Sequence, residues 1–491
     1  MNKLLKSLKE SENVTETTNG QHAYKSTLNA VLDFYSKGGA FRNVDESVIL
    51  NTFADSAEED LELTMRTLFY LRDARGGQGE RRVFRTILPF LAESKASESL
   101  RKNLHLVPIY GRWDDLWVLL NTSLKNDVVT LVQKQLDKDV ENETVSLLGK
   151  WMPSENASSK ETKKNATILR KALKMNPKQY RTTLSSLRKK ISIVETSMSS
   201  KKWSEINYSQ VPSRASILYR KAFARNDESR YYDWQNKVSR GEEKINASVT
   251  YPYEIFEQYC KNGYKALEKD QTLENAWKAL PNYVDPKMNV LVVADVSGSM
   301  SCANGRPMAM SVSLASYFAE RNTEGPFKDS FMTFSDKPNL CKISKVSVRD
   351  TFNGILSSDW GYSTNLEATF NLVLKTAIKN EVKRKDMPDA IVVISDMQFD
   401  RFSENTSTMR AISSKFKEAG YDMPNLVWWN VNAGENGLPV TVNDFGTACV
   451  SGGSPTIFKA FANFLETGKI LTPMDMMLET LNSERYSDIT V

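Results

Sequence analysis

Apolar residues recur at spacings of three and four from position 26 to about 280. Leu184, Leu187, Ile191, Val194 and Met198, for example, fall on one face of a helix. Strand-like alternation is scarce in this stretch. Short loops punctuate it: Gly76-Gly77-Gln78-Gly79, Tyr110-Gly111-Arg112-Trp113-Asp114-Asp115 and Trp151-Met152-Pro153-Ser154-Glu155-Asn156. No clean repeat is visible, but an irregular array of helix pairs, of the HEAT-like kind that builds solenoids, fits the pattern. Residues 1–25 are rich in Ser, Thr, Asn, Glu and Lys and read as a flexible tail, which leaves a helical-repeat domain over 26–285.

The pattern changes between Pro281 and Pro286. Met288 to Ala294 is a compact β-branched run, as expected of a buried parallel strand, and a helix from about Pro307 to Arg321 follows it. Further strands are predicted at Ser330–Phe334, Leu340–Ile343, Ala390–Ser395, Leu426–Val431 and Thr447–Val450. Helices are predicted at Val348–Leu356, from Leu366 through Ala377, at Met409–Ala419 and at Thr456–Leu465. Strands alternating with helices argue for a doubly wound α/β domain over 286–466. A C-terminal extension, helical near Met474–Leu481, occupies 467–491.

Composition narrows the chemistry. The 491 residues include only two His and four Cys, and the cysteines lack metal-type spacing. Histidine acid–base catalysis and His-rich zinc sites are therefore disfavoured. No phosphate-binding loop, nucleophile elbow or zinc-protease motif occurs, so the protein is expected not to be an enzyme. No apolar run is long enough to span a membrane, and Met1–Glu10 lacks the apolar core of a secretory signal; a cytoplasmic location is expected.

The formal net charge of +5 conceals an asymmetry. Residues 160–225 hold 17 Lys+Arg and three acids, whereas residues 288–491 hold 19 bases and 23 acids. A solvated helix face would mix the signs. A one-signed run with interleaved aromatics instead suits single-stranded nucleic acid. Lys163, Lys164, Arg188, Lys189, Lys190, Lys201 and Lys202 are the nominated phosphate contacts, with Trp203 and Tyr208 as stacking residues. Composition does not decide between RNA and DNA.

A second constellation lies in the α/β region. Asp295, Ser297 and Ser299 follow the first buried strand, Asp396 follows another in Ile394-Ser395-Asp396, and Thr364 precedes a helix in Gly361-Tyr362-Ser363-Thr364-Asn365. In an open parallel sheet, loops at the strands' carboxyl ends form the ligand crevice. Two carboxylates and three hydroxyls make a hard oxygen shell suited to Mg²⁺ or Mn²⁺. Asp295, Ser297 and Ser299 match the Asp-x-Ser-x-Ser motif of the von Willebrand factor A domain, which the region resembles, with Thr364 and Asp396 at its threonine and second aspartate. The resemblance implies a metal-ion-dependent adhesion site with one position open to an acidic group from a partner. Met397 stands where many such domains have glycine.

Several motifs of the helical part resemble one family closely: Leu71-Arg-Asp-Ala-Arg-Gly-Gly-Gln-Gly-Glu-Arg81, Tyr110-Gly-Arg-Trp-Asp114, Trp151-Met-Pro-Ser-Glu-Asn-Ala-Ser-Ser159, Leu187-Arg-Lys-Lys190 and Tyr219-Arg-Lys-Ala-Phe223. With the metal motif, these look like an uncharacterised family with plant, fungal and bacteriophage members. That family is similar in architecture to the Ro autoantigen, in which helical repeats form a ring closed by a von Willebrand A domain. The resemblance implies a non-enzymatic RNA-binding protein, located in the host cytoplasm if phage-encoded. The alternative is a metal-dependent protein-interaction or assembly module, of which a phage structural protein is one form.

Overall fold

The computed structural model describes residues 11–260, 268–334, 337–357, 363–402, 408–433 and 437–491. They divide into two compact units. One contains residues 1–60 and 247–483, and the other contains residues 61–246 and 484–491. No helix among the described residues is long and apolar enough to cross a membrane.

The first unit carries a two-stranded hairpin, β1 (Val14–Glu16) with β2 (His22–Tyr24), and a six-stranded sheet. The sheet strands are β3 (Val290–Asp295), β4 (Ser330–Phe334), β5 (Asn339–Lys342), β6 (Ala390–Ser395), β7 (Asn425–Asn430) and β8 (Thr447–Ser451), in the order β5-β4-β3-β6-β7-β8. Within this sheet, among the described residues, only the β4–β5 pair is antiparallel. β3 and β6 are buried at every position, the reason they read as unbroken apolar runs. Leu291, Val293, Ile391, Val393, Leu426 and Trp428 share a core with Leu366, Phe370, Ile412 and Phe416 from the helices Leu366–Lys379 and Thr408–Glu418. The opposite face meets the helix Cys302–Arg321, where Ser311 Oγ donates to Ile394 O (3.1 Å), and the helix Thr456–Glu466, whose Phe458 lies 5.0 Å from Trp429. Helices thus cover both faces, and each strand and helix expected from 286 to 466 is present with ends shifted by a few residues.

The boundaries need correction. Residues 1–10 of the expected tail lie outside the described residues, but 11–25 are ordered around the β1–β2 hairpin. Its turn is polar because it docks through hydrogen bonds: Thr17 Oγ1 donates to Phe399 O (2.8 Å) and Phe402 N donates to Gln21 Oε1 (2.7 Å). Composition cannot separate such a segment from a solvated tail. The helices Ala30–Gly38 and Gln271–Lys278, expected in the helical domain, also belong to the sheet unit. Gly39 N donates to Ser451 Oγ (2.9 Å), and a Cβ at Gly39 would collide with the Ser451 carbonyl. Glu274 accepts from Val348 N and Arg349 N at the start of the helix Val348–Leu356, satisfying two of its orphan donors. The C-terminal extension is divided: the helix Pro473–Leu481 stays with the sheet unit, and residues 484–491 join the helical one.

The second unit is built from helices and turns, with no strand among its described residues. Its organising group is Asp115, fully buried. The carboxylate accepts from Arg72 Nε (2.8 Å), Arg85 Nε (2.6 Å) and Arg112 N (2.9 Å). Burial pushes this carboxyl up, but Arg72 and then Arg85 outweigh it and hold it below its ordinary value. Asp73, also fully buried, accepts from Arg485 Nη2 (2.7 Å) and Tyr486 Oη (3.1 Å), so residues 484–491 help to complete this unit. The stripe expected from Leu184 to Met198 does not form one helix. The helix Pro177–Lys190 ends, Ser192 takes a positive φ of 54°, and a separate helix spans Val194–Ser199.

Replacing Asp115 with Asn leaves Arg72 buried without a counter-charge, and breaking a buried pair costs about 3–5 kcal/mol. Urea unfolding at neutral pH should show that loss in the helical unit. A carboxyl held low in the folded state stabilises fully above its unfolded pKa and loses that contribution as pH falls through the folded value. The Asp115→Asn variant should therefore approach wild type in stability as the medium is acidified below about pH 4.

Candidate functional site

Asp295 and Asp396 end β3 and begin the loop after β6, adjacent parallel strands from which the chain departs in opposite directions across the sheet. This is the switch point where open α/β sheets leave a crevice at the strands' carboxyl ends. Asp295 is wholly buried, Asp396, Ser297 and Thr364 nearly so, and Ser299 is exposed at the mouth. Asp295 Oδ1 accepts from Ser297 N (2.9 Å), and Oδ2 accepts from Ser395 Oγ (2.5 Å). The Ser297 and Ser299 hydroxyls are 3.1 Å apart, and Ser299 acts on the Asp396 carboxyl to lower its pKa, against the effect of burial. Four of the five expected ligands therefore form one connected cluster.

Thr364 is held differently. Its hydroxyl donates to Asp400 Oδ1 (2.8 Å) and accepts from Asn19 Nδ2 (2.7 Å), which also donates to Gln398 O (2.9 Å). Thr364 thus lies beside the loop that follows Asp396, bonded to the hairpin turn rather than to the other expected ligands. The Gly361 and Tyr362 part of its loop lies outside the described residues. Sequence reasoning gave no role to Ser395, Asp400 or Asn19. Ser395 was visible beside Asp396, but nothing local marks its contact with Asp295. Asn19 lies far away in sequence.

Burial, then the charge of Asp396, raises the Asp295 carboxyl to about 7; burial likewise raises Asp396. Hydroxyls and amides partner these carboxylates, a donor set that fits a hard divalent cation. Among the described residues there is no group of three or more His, Cys, Asp or Glu side chains that could hold a metal ion.

The adjoining backbone is unusual. Ala303, Asn304 and Gly305 have positive φ of 49°, 60° and 75° inside the helix that follows the serines. Met397, directly after Asp396, has φ 65°. That is the left-handed geometry a glycine would supply, here occupied by a side chain only 2% exposed in the sheet core.

The basic segment separates into structural and free groups. The Arg188 guanidinium donates to Gly149 O (3.0 Å), Ser154 Oγ (2.9 Å) and Met152 O (2.9 Å), so it ties its helix to the preceding loop and is not a spare phosphate contact. Lys190 Nζ donates to the carbonyls of Asp139, Val140 and Asn142 at the end of the helix Lys125–Glu141. Tyr208 is only 4% exposed, its hydroxyl donates to Asp227 Oδ2 (2.6 Å), and it packs with Phe223, Tyr231 and Trp234. It cannot stack on a base. Trp203 is half-buried, edge-on to Phe223. Lys163, Lys164, Lys189, Lys201 and Lys202 are exposed; Lys202 pairs with Glu205 at 2.9 Å.

At Met397 two effects oppose each other. Glycine relieves a left-handed strain of about 1–2 kcal/mol, and loss of the buried side chain costs about 2–5 kcal/mol. Both Met397→Gly and Met397→Ala should be less stable than wild type. The glycine variant should be the more stable of the two, the reverse of the usual order. Denaturant midpoints of the two variants test this.

Comparison with known proteins adds the following. A family model described as Domain of unknown function (DUF2828) matches residues 17–135 and 156–286, and one described as Domain of unknown function (DUF7788) matches 289–487. The "Uncharacterized protein L728" of Acanthamoeba polyphaga mimivirus is 30% identical, over 96% of this chain and 87% of that protein. The crystal structure of the Deinococcus radiodurans RO (RSR) protein is similar at TM-score 0.40 and 14% identity, covering 91% of this chain and 96% of that one, a likeness too slight to bear on residues or function. The DUF2828 model spans just over half of the chain and the mimivirus relative almost all of it, so the chain belongs to the DUF2828 family.

Proposed function

We propose that this is a non-enzymatic RNA-binding protein whose helical unit carries the RNA surface and whose sheet unit is a von Willebrand A-type domain holding Mg²⁺ or Mn²⁺. The observation that carries the RNA reading is the set of bases left exposed once the structural and paired ones are removed: Lys163, Lys164, Lys189 and Lys201, within a segment holding three acids. Bases that no fold contact consumes keep their charge available for phosphates.

The strand order and the oxygen cluster support the A-type reading of the sheet unit. Asp295, Ser297, Ser299 and Asp396 would hold the ion, and Thr364 would join them if its hydroxyl left Asp400. When bound, such an ion offers a Lewis-acid position to an acidic oxygen of a partner. A second reading, a metal-dependent protein-interaction module, is favoured by the same cluster: two buried carboxylates at the ends of adjacent parallel strands, with serine hydroxyls beside them.

Binding to a labelled RNA should weaken steeply with salt, and Lys163→Glu/Lys164→Glu/Lys189→Glu should lower affinity by at least about tenfold at low salt. Salt-independent binding, or no loss in the variant, argues against the RNA reading. Independently, Mn²⁺ titration followed by electron paramagnetic resonance should show a bound ion in wild type and none in Asp295→Ala. Saturating Mg²⁺ at about 100 times its Kd should stabilise wild type alone by about 2.7 kcal/mol.

A further inference from the structure

The helical unit contains a cleft of about 1020 Å³ between the helix Pro177–Lys190 and the chain from Val194 to Pro212. Its lining includes five basic side chains and two acidic ones. The acids are already paired: Glu155 with Arg170 at 2.8 Å and Glu205 with Lys202 at 2.9 Å. Arg181 and Lys189 are exposed, with no hydrogen-bond or ion-pair partner among the described residues. Positions 181, 185, 188 and 189 lie at helical spacing, and all four line the cleft. Tyr180, Leu184 and Leu187 of the same helix are buried. The helix therefore brings Arg181, Arg188 and Lys189 to the cleft beside the buried Tyr180 and Leu184, which also line it.

The uncharged lining divides between serine, threonine and amide side chains and aliphatic ones such as Leu147, Ile193 and Ile206. Ser185, Ser192, Thr196 and Ser197 line the cleft, and their hydroxyls have no side-chain partner among the described residues. The one aromatic residue lining it among the described residues is Tyr180, 1% exposed, with its hydroxyl donating to Pro153 O (2.8 Å). Cations with free hydroxyls and no accessible aromatic face suit a sugar–phosphate backbone, since hydroxyls can both donate to phosphate and exchange hydrogen bonds with a ribose 2′-OH. They do not suit base stacking, which needs an exposed ring. A cavity at the upper end of ligand-pocket size admits a few nucleotides of a single strand.

Resting on the RNA-binding reading, we infer that this cleft seats single-stranded RNA and grips its phosphates and ribose hydroxyls without reading its bases. Arg181 and Lys189 carry the phosphate contacts. The serine and threonine hydroxyls give a preference for RNA over DNA.

The test is fluorescence anisotropy on the full chain with labelled oligo(U), oligo(A) and their DNA counterparts, each about 12 nucleotides long. Wild type, Arg181→Gln/Lys189→Gln, Ser185→Ala/Ser192→Ala/Ser197→Ala and the distant-helix control Lys163→Gln/Lys164→Gln are compared across a salt series. The inference expects oligo(U) and oligo(A) to bind within about threefold of each other, both more tightly than DNA. The Arg181/Lys189 variant should lose at least about tenfold in affinity, and its log–log salt slope should fall by about 1.4, or 0.7 per phosphate on a single strand. The triple-alanine variant should lose the preference for RNA over DNA while keeping the salt slope. RNA binding that is unchanged in the Arg181/Lys189 variant but weakened in the Lys163/Lys164 control overturns the cleft and leaves the RNA reading standing. A wild-type protein that binds no RNA at low salt overturns both, as does capture of an acidic polypeptide in its place. Thermal unfolding of the Arg181/Lys189 variant should match wild type, because neither side chain has a fold contact to lose.

Discussion

A buried carboxylate needs compensation, because an isolated ionised group inside a protein costs far more than a fold can spare. This chain meets that constraint in two ways. In the helical unit Asp115 and Asp73 are met by arginines, and the motifs around them follow from that demand. A Cβ at Gly111 would collide with the Asp115 carboxylate and Arg72, and one at Gly76 with Arg485. These glycines are small so that guanidinium groups can reach the acids. The Gly-rich loop that caught the eye in the sequence is thus a packing solution, not a phosphate cradle.

In the sheet unit burial pushes both Asp295 and Asp396 up, and the charge of Asp396 raises Asp295 further. Asp115 has arginines to offset its burial and is held low instead. The contrast marks Asp115 as a completed structural element. Chain that gathers Asp295, Ser297, Ser299 and Asp396 has little freedom, and the left-handed residues Ala303, Asn304 and Met397 lie next to these positions in sequence, where backbone strain is commonly kept.

The same distinction sorts the basic segment. Arg188 and Lys190 belong to one run with Lys189, yet three hydrogen bonds occupy each of the first two, and Lys189 alone faces solvent unpaired. Adjacent residues on a helix point about 100° apart, so a run of bases is necessarily divided between neighbours and solvent. The aromatics divide likewise, with Tyr208 inside a cluster that includes Phe223 and Trp234. Charge counted along the chain located the surface but could not say which members were free.

What the sequence determined alone was whatever depends on near neighbours. The buried runs of β3 and β6 announce parallel strands, the alternation with helices announces a doubly wound sheet, and Asp295, Ser297, Ser299 and Asp396 fall at strand ends because strand ends are locally encoded. Tertiary structure decided the rest. The polar hairpin became ordered through bonds to residues more than 300 positions away, Asn19 reached Thr364, and helices from both sides of the helical region joined the sheet unit. Those outcomes turn on which distant polar group finds which partner. A hydrogen bond between remote residues leaves no periodicity in the chain from which it could have been read.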